Sequence, residues 1–104
     1  MMQDIRYEQR PDGKLAGWFA SPADKVLLRK CSDVLVSQFG AEPCEHFDAL
    51  DQSFWDFNVA ALRITLHLDR AVGLAVVSND ATSPAHNLVR RFAEHLHALL
   101  LRGL

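Results

Sequence analysis

Leu62-Arg63-Ile64-Thr65-Leu66-His67-Leu68-Asp69 is the stretch whose reading decides the fold. Its aliphatic residues fall at every second position, and the residues between them are charged or polar. A period of two is that of a β-strand with one dry face and one wet face. A helix would need apolar residues three and four apart. Leu62, Ile64, Leu66 and Leu68 therefore face a core, and Arg63, Thr65, His67 and Asp69 face away from it.

Reading upstream, residues 54–59 alternate Trp55, Phe57 and Val59 against Phe54, Asp56 and Asn58, a second strand. Glu42-Pro43 reads as a chain break, and residues 45–50 as a weaker strand. Downstream, a turn from Asp69 to Gly73 leads into Leu74-Ala75-Val76-Val77, which is apolar on both sides. Such a strand is central or covered on both faces. At the N-terminal end, residues 4–9 alternate. Pro11-Asp12-Gly13-Lys14 then predicts a turn, because Pro sets φ and Gly accepts φ > 0. Residues 15–20 complete a hairpin.

Two amphipathic helices complete the pattern. Ser21-Pro22-Ala23-Asp24 predicts the first start, with Ser21 as cap, Pro22 at the first helical position and Asp24 closing a capping box. Leu27, Leu28, Cys31, Val34, Leu35 and Phe39 form its stripe, and Gly40 ends it. Ser83-Pro84 predicts the second start. Leu88, Val89, Phe92, Leu96, Leu99 and Leu100 form that stripe, and Gly103 ends it. The order is ββ-α-ββ(β)β-α. Short connections favour antiparallel neighbours. The expected fold is α+β: a two-layer sandwich of a mostly antiparallel five- or six-stranded sheet with both helices on one face.

At 104 residues the chain is expected to be one domain spanning residues 1–104. A net charge of −2 gives no positive field to draw in nucleic acid or an anionic membrane surface. Charge is uneven along the chain: Glu42, Glu45, Asp48, Asp51 and Asp56 form an acidic segment, whereas Arg90, Arg91 and Arg102 fall in the last helix. Apolar runs are too short to span a membrane. No basic segment followed by an apolar one opens the chain, so a cytoplasmic location is expected, with Cys31 and Cys44 reduced. Cys31 lies on a buried stripe and reads as a small core residue.

A sheet with helices on one face leaves the other face open. The sequence places a polar rim there around an apolar centre. The predicted partner surface is Trp18, Phe54, Arg63, Thr65, His67, Ala75 and Val77, and its expected occupant is a protein partner or a second copy in a homodimer. Cover by loops or by the N-terminal hairpin is the competing expectation. Ala75→Arg or Arg63→Glu should then weaken association and leave the fold intact.

Catalytic and cofactor motifs are absent from the sequence. It has no Gly-x-Ser-x-Gly, and its glycines are scattered at turns and ends, so no phosphate-cradling loop and no cofactor are expected. Two His-x-Asp pairs, His46-x-Asp48 and His67-x-Asp69, are the remaining candidates. Residues two apart in a strand point the same way, so on neighbouring strands the four side chains could converge on a divalent metal, the alternative reading as a small metal-binding protein or enzyme; the first expectation is no bound metal, with His67 and Asp69 as surface residues sharing a local hydrogen bond. His95 and His97 lie two apart on a helix and splay too widely to share a ligand. His86 and His97 flank the apolar stripe.

The order of elements loosely resembles the profilin-like and roadblock-type interaction domains, with Leu74 to Leu100 most like their last strand and helix. The N-terminal helix of roadblock domains has no counterpart here. The size, the acidic middle and the stretch from Trp55 to Leu66-His67 also resemble small bacterial immunity proteins and secretion chaperones. These resemblances imply a protein-binding domain and carry no site residues with them.

Overall fold

The computed structural model describes residues 4–104. The elements are β1 (Arg6–Gln9), β2 (Leu15–Ala20), α1 (Lys25–Phe39), β3 (Glu42–Asp48), β4 (Gln52–Val59), β5 (Leu62–Asp69), β6 (Gly73–Ser78) and α2 (Ser83–Leu101). The fold is α+β, with one six-stranded sheet in the order β1-β2-β6-β5-β4-β3. Every neighbouring pair is antiparallel. From β3 to β6 the chain is a simple meander. α1 carries it from β2 to the far edge of the sheet, and β2 pairs with β6, so the first hairpin joins the last strand.

The decisive stretch forms β5 over its full length. Ile64, Leu66 and Leu68 face the helices together with Trp55 and Phe57 of β4 and Leu74 and Val76 of β6. Leu28, Cys31, Val34 and Leu35 of α1 and Val89, Phe92, Leu96 and Leu100 of α2 join the same cluster. Both helices therefore serve one face of the sheet. Cys31 is wholly buried there, and burial pushes its thiol up to about 12, which leaves it protonated and inert. Val26 and Val36 of α1 stay exposed.

The helix starts differ from the expected ones. α1 is capped by Asp24, whose Oδ1 accepts from the Leu27 amide at 2.9 Å; Ser21 and Pro22 lie outside the helix in the turn before it. A carboxylate caps as well as a hydroxyl and also favours the positive end of the helix dipole. α2 is capped by Thr82, one residue before Ser83, with Pro84 in the first turn. Gly40 closes α1 in the left-handed conformation, as expected.

β3 is also longer than expected. It begins at Glu42 and runs through Pro43. Proline is tolerated there because β3 is an edge strand, where the missing N–H faces away from any neighbour. A bulge falls between Pro43 and His46. The β4–β5 hairpin closes between Val59 and Leu62 with only Ala60 and Ala61 in the loop. Ala60 takes a φ of 54°, a conformation that asparagine or glycine adopts more cheaply.

Candidate functional site

Alternation along β2, β4, β5 and β6 brings six of the seven predicted partner residues together around the middle of the helix-free face: Trp18, Phe54, Thr65, His67, Ala75 and Val77. The register sets Trp18 beside Ala75, and Ala75 beside His67, which in turn faces Phe54. Arg63 lies further along β5, opposite Asn58. The centre of this face is not bare. Ala16, Trp18, Ala75 and Val77 form a second apolar cluster, with Ala75 wholly buried and Trp18 only 5% exposed.

The cover is built from side chains of the sheet itself. His67 stacks on Phe54, with ring centroids 4.3 Å apart and planes 17° apart. Trp18 leans on His67 at 5.4 Å. The guanidinium of Arg6 lies over the Trp18 ring, and Trp18 Nε1 donates to Glu8 Oε1 at 3.2 Å. Rings and stems laid flat exclude water from small residues beneath them.

His67 is the hub of this layer. Arg10 Nη2 donates to its Nδ1 at 3.2 Å, and an arginine has only donors. Nδ1 therefore accepts, so Nε2 carries the proton and donates to Gln52 Oε1 at 2.9 Å. The relay Arg10 to His67 to Gln52 fixes a neutral imidazole in one tautomer. Burial first, and then the nearby Arg10 charge, hold its pKa below the usual histidine range; Asp69 and Glu8 pull the other way.

A pocket of about 220 Å³ opens beside His67. The β1–β2 turn supplies Arg10, Asp12 and Lys14 on one side of it, and Phe54, Thr65, His67, Val77 and Asn79 line the rest. Lys14 has Asp12 at 3.9 Å.

Toward the β3 edge the same face becomes polar. Arg63 meets Asp56 at 3.3 Å and Glu45 at 3.9 Å, and Thr65 Oγ1 donates to Asp56 Oδ1 at 2.6 Å. Exposed pairs of this kind contribute up to about 1 kcal/mol each. Beyond them Phe47 packs loosely on Phe54 at 6.2 Å between centroids and stays 62% exposed; Leu50, in the β3–β4 turn, is 92% exposed.

The two His-x-Asp pairs do not meet. His46 stacks on Trp55 at 4.1 Å, and Asp48 accepts from Trp55 Nε1 at 2.9 Å and pairs with Lys25 at 3.4 Å. Both point to the helix side of β3. His67 points to the other side of β5, and β4 lies between the two strands. Asp69 turns back to accept from the amides of Ala71 and Val72. Among the described residues, no three His, Cys, Asp or Glu side chains are grouped to hold a metal ion.

His86, His95, Arg90 and Arg91 belong to α2, on the helix side. His86 Nε2 donates to the Gly13 carbonyl at 2.8 Å and ties α2 to the β1–β2 turn. His95 meets Gln38 at 2.7 Å and the edge of Phe39. Arg91 lies over Phe39, and Arg90 reaches Asn87. Among the described residues, no helix is long and apolar enough to cross a membrane. Comparison with protein-family models, with curated proteins and with solved structures found no match.

Proposed function

We propose that this chain is a small non-catalytic protein-binding domain whose docking surface is the β3 end of the helix-free face. One observation carries the reading: β3 is an edge strand exposed along all seven of its residues, and Phe47 and Leu50 stand out from it into solvent. An unpaired edge offers main-chain donors and acceptors to an added strand, and neighbouring apolar side chains give that strand a register. The apolar centre of the face, Trp18, Ala75 and Val77, acts from beneath as support. Phe54, Arg63, Thr65 and His67 remain at or beside the docking area.

Charge selects the partner. Glu42, Glu45, Asp48 and Asp51 line the strand and its turn, and among the described residues the only basic side chains paired with them are Arg63 and Lys25. A second copy paired β3 to β3 would bring these acids together. A basic extended segment with alternating apolar residues suits the surface better than a homodimer does. The expected cytoplasmic location belongs to the same proposal, supported by two unpaired cysteines, Cys31 buried and Cys44 exposed.

The test uses a synthetic peptide alternating Lys and Val, a control alternating Glu and Val, and light scattering of the protein alone. Saturable binding of the lysine peptide that weakens with salt, and that drops at least tenfold in the double variant Glu45→Lys with Phe47→Ser, is the expected result. Equal binding of both peptides, or of neither, overturns it. A dimer at micromolar concentration that the same double variant dissolves replaces the basic partner with a second copy.

A further inference from the structure

The pocket beside the β1–β2 turn has a feature that the docking surface does not use. Arg10 lines it part-buried, and among the described residues the one hydrogen bond of its guanidinium goes to a neutral imidazole. No carboxylate of the described residues comes within ion-pair distance of Arg10. Lys14, the other cation of the pocket, has Asp12 beside it. The lining therefore carries one uncompensated positive charge, on the side chain whose planar fork of donors matches a carboxylate or phosphate.

The rest of the lining narrows the choice. Phe54 and Val77 give apolar wall, and Thr65 and Asn79 give polar edges. A volume of about 220 Å³ gives room for one small ring or a short chain. A phosphate ion would leave the phenyl and valine walls against water. A carboxylate on a flat apolar body satisfies both halves of the lining.

We propose that this pocket binds a small organic carboxylate, with the guanidinium of Arg10 gripping the carboxylate and the Phe54 ring covering the apolar body. The pocket shares Phe54, Thr65 and His67 with the border of the docking area, but its grip is Arg10 whereas the peptide's is Glu45 and Phe47, so Arg10→Gln and the Glu45→Lys with Phe47→Ser double variant separate failure of one proposal from failure of the other.

Backbone amide shifts of the whole protein, followed by NMR during titration with benzoate, acetate and inorganic phosphate, test it. The expected result is saturable movement of Arg10, Lys14, Thr65, His67 and Asn79 with benzoate, weaker binding of acetate, and weaker binding still of phosphate. Arg10→Gln should reduce benzoate affinity at least tenfold while shifts on the helix side stay in place. Arg10→Lys, which keeps the charge and loses the fork, should reduce it at least threefold and provides the reading if the glutamine variant is poorly folded. Absence of saturable shifts with benzoate overturns the proposal. So does binding undiminished in Arg10→Lys, or tighter binding of phosphate than of benzoate.

Discussion

On one face of the sheet, Leu66 and Val76 are hidden beneath two helices. On the other, Ala75 and Val77 are hidden beneath Trp18, His67, Phe54 and Arg10, side chains that rise from strands or loops of the same sheet. The first cover is a packed layer of backbone and side chain. The second is one side chain thick and is held by ring contacts and polar ties. The difference teaches that polar and aromatic residues on a helix-free face can be structural. Trp18 is such a residue: burying a ring of that size contributes about 3 kcal/mol before the cost of ordering it.

The largest test of this comparison is Ala75→Arg. If the thin cover is a true second core, an arginine at a wholly buried site displaces Trp18 and His67. Unfolding in urea should show a loss of about 3 kcal/mol with no dependence on protein concentration. A variant as stable as the parent would show that the face is a loose surface. Sequence reasoning gives this substitution the opposite outcome, intact folding and weakened association, because alternation shows which way Ala75 points and not what lies over it.

A second test separates the two covers by pH. The folded state holds His67 below its ordinary pKa of 6.5, with Arg10, Asp69 and Glu8 as the charged groups around it. Between the lowered folded value and 6.5 the unfolded chain binds the proton and the folded chain does not, so stability rises with pH across that window. The contribution of neutral His67 is complete above about pH 6.5 and is lost as pH falls below it. Thermal melts of wild type and His67→Gln between pH 7 and pH 5 should show a steeper decline in the wild type. Parallel declines would remove His67 from its place as the hub of the thin cover.

The smallest expected effect concerns the hairpin that sets the register of both faces. Ala60→Gly relieves the positive φ of the β4–β5 turn and should raise stability by about 0.5–1 kcal/mol in urea unfolding. A loss instead would mean that glycine's greater freedom in the unfolded chain outweighs the relief.

Much of the architecture was legible, for reasons that can be named. The two-residue period of β5 and the helical stripes of α1 and α2 record the direction of each side chain, and burial enforces that direction. The sequence also marked the start of each helical region, though Asp24 and Thr82 do the capping, since several polar residues there are chemically able to cap. The turn at Ala60-Ala61 carried no signal, because its residue types are not those its geometry favours. The extent of β3 was hidden by Pro43, which reads as a break unless the strand is known to be an edge. The candidate metal site failed for a related reason. The bulge in β3 and the intervening β4 decide which side chains meet, and neither is written in a local pattern. The pocket at Arg10 was missed because its cation comes from the loop beside the turn, and an isolated arginine there has no periodicity to flag it.

The pairing of β2 with β6 has a consequence for how the molecule assembles. The four strands from β3 to β6 can close one hairpin after another, each from neighbouring chain. The β2–β6 seam must instead unite segments from opposite ends of the sequence, and α2 packs across it. Contacts so remote in sequence form slowly because a long loop has to close before they reward it. That seam is where the chain commits to its final shape, and an intermediate that lacks it would leave two strand edges open to strangers.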